Sequence, residues 1–269
     1  MLPQKRWMAA RWRRAAESDF KLVYIYRKPH DRAPHFGNAA TMTTDFADRL
    51  HAVRDRIRAA ERRFQRPPGA VRLLAVSKIQ PAAAIAAMAA AGQTCFGENY
   101  VQEALDKMAA LAALALEWHF IGPIQANKTR GIAEHFAWVH SVDRLKIAER
   151  LSAQRPESLP PLNVCLQVNI DREPTKHGLD PMAVSGIAAA VAALPRLRLR
   201  GLMAIPAPAA DFSAQRPALA RLRILQEQLI AAGLALDTLS MGMSDDLEAA
   251  IAEGATLVRV GTALFGPRR

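Results

Sequence analysis

Several protein classes are excluded by what this chain has little of. Aromatic residues make up 6% of its 269 positions, so large rings cannot dominate the core. Alanine- and leucine-rich helices packed on something flat fit that composition better. There are two cysteines, Cys95 and Cys165, both in expected strands, too few for a disulfide framework. They read as buried thiols suited to a reducing, cytoplasmic setting, and neither has a histidine beside it in sequence to make it a nucleophile. No run of about 20 apolar residues occurs, so no membrane span is expected. No secretory h-region follows the early charges. A G-x-G-x-x-G after the first strand and a phosphate-loop lysine motif are both missing. His119, His135, His140 and His177 match no compact metal-ligand spacing, and no carboxylate is expected to pair with them locally. They read as core or strand-end residues, not a metal site.

The formal charge of +11 is unevenly spread. Residues 1–41 hold nine Lys/Arg against three Asp/Glu, a net of +6, leaving 27 against 22 in residues 42–269. The basic excess is therefore weak support for nucleic-acid binding. The first 41 residues show no sustained period. A transit peptide or a nucleic-acid tail would suit them, but a disordered extension is the preferred reading, with a functional start near Met42.

What the chain does have is alternation. Thr44 to Gln65 reads as a helix with Thr44 as N-cap, its apolar positions Phe46, Leu50, Val53, Ile57, Ala60 and Phe64 recurring at three- and four-residue steps. Strands are expected at Val71–Ser77, Thr94–Gly97, Glu117–Gly122, Ala137–Ser141, Leu162–Ile170, Leu199–Ile205, Thr238–Met241 and Thr256–Val260. Helices are expected between them at 81–91, 99–115, 125–135, 143–153, 180–193, 213–232 and 244–253. Eight strand–helix units predict an α/β fold of the (β/α)8 barrel type, one domain over 42–269, with an open doubly wound sheet as competitor. Nothing long enough for a helix follows the last strand, so the leading helix is expected to fill the eighth helical place.

In such a barrel the carboxyl ends of the strands converge on one mouth. The first strand, V-R-L-L-A-V-S, delivers Lys78 there, backed by apolar residues that restrict water. Desolvation favours a neutral amine, and a neutral amine can form a Schiff base. The second strand supplies Asn99, which can cap the next helix or face the mouth. The seventh and eighth supply Ser240, Gly242, Arg259, Gly261 and Thr262. Loops after strands seven and eight often hold a phosphate in this fold, although ordinary turn chemistry would also use these residues. An amine at one side and a phosphate cradle at the other suit a ligand with an aldehyde and a phosphate, as in pyridoxal phosphate. Asp245, Asp246 and Glu248 open a helix and read as structural.

The motifs L-L-A-V-S-K, F-G-E-N-Y-V-Q-E, W-H-F-I-G-P-I-Q, H-S-V-D-R, R-G-L-M-A-I-P, L-S-M-G-M-S-D-D and V-R-V-G-T-A-L-F-G occur in that order. Together, over about Thr44 to Pro267, they resemble the pyridoxal phosphate homeostasis protein family. The resemblance implies a single fold type III barrel like the amino-terminal domain of alanine racemase. It implies a Schiff base from pyridoxal 5'-phosphate to Lys78, phosphate contacts from Ser240, Gly242, Gly261 and Thr262, and Arg259 opposite the pyridine nitrogen. Lys176 matches a position for a second, transferable cofactor. Gln80 stands where members often carry a second lysine. The expected function is a monomeric carrier that buffers the cofactor or delivers it to apoenzymes, with no clear catalysis; an amino-acid racemase is the alternative. Racemisation is disfavoured because the racemases take an opposing tyrosine from a second domain, which is not expected here.

Overall fold

A computed structural model describes residues 39–267; residues 1–38, which contain nearly all of the expected basic extension, lie outside the described residues. The chain forms helix α1 (Ala39–Arg63), then strands β1 (Arg72–Val76), β2 (Cys95–Glu98), β3 (Glu117–Phe120), β4 (Trp138–Val142), β5 (Leu162–Gln167), β6 (Leu197–Met203), β7 (Thr238–Ser240) and β8 (Leu257–Val260). Between them run α2 (Ala82–Ala90), α3 (Val101–Ala110), α4 (Thr129–His135), α5 (Leu145–Gln154), α6 (Val184–Ala192), α7 (Phe212–Ala231) and α8 (Leu247–Ala252). All strand pairs are parallel, in sequence order, and β8 closes onto β1. The expected barrel is the observed one.

Two layers of apolar side chains follow from the strand period of two. Outward residues such as Phe96, Phe120, Val139 and Val258 pack against the helices in one large cluster. Inside the barrel the apolar fill is small: Leu74, Cys95 and Leu257 on one side, Trp138, Cys165 and Met203 on the other. The space between those two groups is polar.

α1 buries Leu50, Val53, Ile57 and Ala60 on one stripe. It packs against α2 and α8, so it does fill the gap in the helical ring. Three expectations need correction. Thr44 lies inside α1 and does not cap it, because the helix already begins at Ala39. A single helical turn, α9 (Thr262–Phe265), does follow β8, and its Phe265 ring meets Phe46 of α1 edge-on at 5.9 Å. The 99–115 expectation was also too long: α3 starts at Val101 behind Tyr100.

Candidate functional site

At the carboxyl ends of the strands lies a cavity of about 290 Å³, near the lower end of ligand pockets. Lys78, Asn99, Arg259, Gly261 and Thr262 all line it. Five residues far apart in sequence and expected at one mouth are thus brought together. Val76, Ile121, Ile205 and Phe265 supply the apolar walls.

Lys78 stands two residues past the end of β1 and is half-buried. The backbone on either side of it is held from α3. Lys107 Nζ donates to Ser77 O at 2.8 Å, and Glu103 Oε1 accepts from Ile79 N at 2.6 Å. Ile79 sits at φ +67°, a left-handed conformation that costs a β-branched residue energy and that only surrounding contacts can maintain.

Asn99 was expected as a possible helix cap, and the structure does not use it so: the N-cap of α3 is Tyr100, without a side-chain cap bond. The reason is its position. A Cβ on Gly122 would fall 2.3 Å from Asn99 O and 2.6 Å from its Cα, so glycine there lets the Asn99 backbone occupy that place. Asn99 lines the cavity, and its Oδ1 is buried and unpartnered among the described residues. A buried acceptor left so is costly unless a ligand or water satisfies it.

The expected phosphate residues divide. Gly261 and Thr262 start α9 at the cavity wall; Leu264 N and Phe265 N donate to Gly261 O at 2.9 Å, while Thr262 and Ala263, ahead of them, have no helix carbonyl to donate to. Gly242 lies at φ +93°, and a Cβ there would meet Ala250 Cβ at 2.5 Å; its carbonyl accepts from Arg259 N at 2.9 Å. It shapes the loop from beneath and does not line the cavity. Ser240 does not line it either. As the last residue of β7 it is fully buried, with its hydroxyl turned to His140 and Arg259. Its place at the wall is taken by Ser244, four residues on, with Met243 and Asp245. Sequence reasoning passed over Ser244, although the second serine of S-M-G-M-S was the one outside the strand. Gln80 also lines the wall.

The acidic residues after β7 separate by role. Asp246 Oδ1 accepts from Met243 N at 2.6 Å, and Glu248 pairs with Arg56 of α1 at 2.9 Å. Arg56 also donates to Ser244 O at 3.0 Å, so α1 anchors the β7–α8 loop. Asp245, expected to be structural, faces the cavity.

Lys176 is not brought to this site. It lies in the loop after β5, with Nζ 2.7 Å from Glu173 Oε1.

Arg259 is 4% exposed and points from β8 into the barrel top. It donates to Ser240 O, to Ser240 Oγ at 2.8 Å and to Ala204 O at 2.9 Å. Burial pushes its pKa down to about 10, which still leaves it cationic at neutral pH.

The histidines depart from expectation in one respect: a carboxylate does pair with them. Glu117 Oε1 lies 2.8 Å from His119 Nε2, because residues two apart on β3 share a strand face. His119 hydrogen-bonds and Arg72 hydrogen-bonds hold the Glu117 carboxyl down to about 2 against the opposing effect of burial. Cys95, Glu117 and His119 present ligand-type atoms within 4.8 Å of one another. Arg72 already donates to Cys95 Sγ at 3.0 Å and to Glu117 Oε1 at 2.7 Å, so a guanidinium supplies the cation there. Cys165 is an inert buried thiol, its pKa pushed up to about 12 by burial.

Comparison with known proteins agrees with this fold. The family model described as "Alanine racemase, N-terminal domain" matches residues 49–269. The pyridoxal phosphate homeostasis protein of Pseudomonas aeruginosa is 64% identical over 222 residues, covering 82% of this chain and 95% of the relative. That of Escherichia coli is 54% identical over 227 residues, covering 83% and 97%. The structure of PipY from Synechococcus elongatus PCC7942 with PLP bound superposes with a TM-score of 0.72 at 42% identity, covering 82% of this chain and all of that one. With a closed eight-stranded barrel, a lysine at the end of its first strand and relatives this similar along nearly their whole length, the chain belongs to the pyridoxal phosphate homeostasis protein family, on the alanine racemase N-terminal fold.

Proposed function

We propose that this chain holds pyridoxal 5'-phosphate in the cavity at the barrel mouth, attached through Lys78, and serves to buffer the cofactor and pass it to apoenzymes. The observation that carries the reading is the convergence of Lys78, Asn99, Arg259 and the Gly261–Thr262 turn on one cavity. The donor set fits the group: an amine for an aldehyde, hydroxyls and helix-start N–H groups for a phosphate, and an unpartnered buried amide oxygen for a polar ring substituent. When bound, the cofactor supplies an electrophilic aldehyde and a ring that can withdraw electrons.

The chain's own residues then do four things. Lys78 is the point of covalent attachment. Ser244, Thr262 and the start of α9 bind the phosphate. Asn99 orients the ring. Arg259, cationic and able only to donate, meets a ring nitrogen as a hydrogen-bond donor and keeps it unprotonated, which weakens electron withdrawal. Lys176, outside the cavity, is carried as a separate second attachment point.

Absorbance tests this directly. Purified protein reconstituted with pyridoxal phosphate is expected to keep a visible chromophore through dialysis, and Lys78→Ala to lose it. A wild type that cannot be coloured by reconstitution overturns the reading. Transfer to an apoenzyme faster than free dissociation tests delivery. Amino-acid racemisation is the second reading: it needs acid–base groups on two faces, and besides Lys78 the residue Asp245 lines the cavity. Chiral analysis after incubation with L- or D-alanine is expected to show no conversion; rapid conversion would replace the carrier reading with the enzyme.

A further inference from the structure

A single hydrogen-bonded chain crosses the barrel interior between its two apolar clusters. Starting at the cavity, Arg259 reaches Ser240 Oγ at 2.8 Å, Ser240 Oγ reaches His140 Nδ1 at 2.7 Å, and His140 Nε2 reaches His119 Nδ1 at 2.9 Å. The other nitrogen of His119 meets Glu117 Oε1 at 2.8 Å, and Glu117 opens β3, at the opposite end of the barrel from the cavity. Ser240, His119 and His140 are fully buried. The His119 ring is stacked on Trp138 at 5.4 Å with a 4° interplanar angle, which fixes its plane.

Donor and acceptor capacities leave this chain one proton arrangement. Arg259 can only donate, so Ser240 Oγ accepts from it. Ionised Glu117 can only accept, so His119 carries its proton on Nε2. Burial drives both imidazoles toward the neutral form. A neutral His119 with Nε2–H must accept at Nδ1, so His140 carries Nε2–H and accepts at Nδ1 from the Ser240 hydroxyl. Every bond then runs in one direction, from Arg259 to Glu117. The hydroxyl proton of Ser240 is turned away from the guanidinium, and its oxygen is free to hold it.

We propose that Glu117 is a positioning residue for the cavity: its carboxylate at the far end of the barrel fixes the tautomers of His119 and His140 and thereby the Ser240 oxygen that orients Arg259. Reversing the chain would give Ser240 Oγ a donor from His140 and leave its own proton competing with Arg259. The pocket would feel a change made on the opposite face.

The test compares Glu117→Leu with Glu117→Gln. The two side chains are close in size, but only glutamine keeps an oxygen where Oε1 now accepts from both His119 and Arg72. In histidine-labelled full-length protein without ligand, long-range proton–nitrogen correlation spectra read each tautomer, with His119→Gln and His140→Gln supplying the assignments. Both rings are expected as Nε2–H at neutral pH in wild type and in Glu117→Gln, and to depart from that pattern in Glu117→Leu. Affinity for pyridoxal phosphate is expected to fall about five- to tenfold in Glu117→Leu, the scale of one misdirected hydrogen bond, and to recover in Glu117→Gln. An Nδ1–H or imidazolium form at either ring of the wild type overturns the proposal, and needs no variant to fold. So does a Glu117→Leu protein with wild-type tautomers, or one whose tautomers change while affinity does not. The affinity arm rests on the cofactor reading; a wild type that takes up no pyridoxal phosphate sinks that reading alone, and the ligand-free spectra then decide this one.

Discussion

Lys107 Nζ lies 2.8 Å from Glu98 Oε1, and the two side chains are 7% and 0% exposed. This buried ion pair sits directly behind the segment that carries Lys78. Glu98 also accepts from Ser77 Oγ at 2.6 Å, and Lys107 donates to Ser77 O. Burial holds the Glu98 carboxyl above its ordinary range, with Lys107 and Ser77 opposing that shift. Removing Lys107 leaves a buried carboxylate with no cation, so Lys107→Met is expected to cost about 3–5 kcal/mol in denaturant unfolding. A cost under about 1 kcal/mol would mean that the pair does not anchor this strand end.

Ile79 stores strain beside Lys78. Its φ of +67° is unfavourable for a β-branched side chain, and that side chain is 60% exposed, so little packing compensates. Ile79→Asn, which tolerates the left-handed region, is expected to raise stability by about 1 kcal/mol. Chemical denaturation midpoints measure it. A loss of stability would show that the Ile79 side chain contributes more than its backbone costs.

Gly122 makes room for Asn99. A Cβ there would meet Asn99 backbone atoms at 2.3 to 2.8 Å, so Gly122→Ala must displace the Asn99 backbone. The expected result is a stability cost of about 1–3 kcal/mol together with weakened uptake of pyridoxal phosphate. Fluorescence titration beside a melting curve separates the two effects. Unchanged uptake would remove Asn99 from the binding set.

Glu117 gives the protein a specific acid sensitivity. Its folded pKa of about 2 lies below the ordinary carboxylate value, so its contribution is present above pH about 4.5 and is lost as pH falls toward 2. With the side chain 36% exposed, solvent screening reduces the contribution to about 1–2 kcal/mol. Glu98, held high by burial, acts in the opposite sense and above its ordinary value, so the difference between wild type and Glu117→Gln isolates the Glu117 contribution. That difference is expected to shrink steadily from pH 5 to pH 2. A pH-independent difference would mean that Glu117 is not ionised in its pairing with His119.

Much of this protein was legible before folding was considered. Eight strand runs separated by helical stretches point to a parallel sheet covered by helices on its faces, and their number favours the barrel over an open doubly wound sheet. The position of Lys78 just past the first run, and of Gly261-Thr262 just past the last, places both at the mouth by connectivity alone. Gly242 belonged to the same motif, but its role is to let the loop pass under the wall. What needed the tertiary structure was which residues of different strands share a level inside the barrel. That is set by the stagger between strands, and no strand carries information about its neighbour's register. Hence Ser240, expected among the phosphate contacts, has its hydroxyl committed to the interior, and Ser244, four residues on, stands at the cavity wall. For the same reason His119 and His140, 21 residues apart and bland in sequence, meet at 2.9 Å and link Glu117 to Arg259. Local pattern decides where a side chain leaves the backbone; the closure of the barrel decides what it touches.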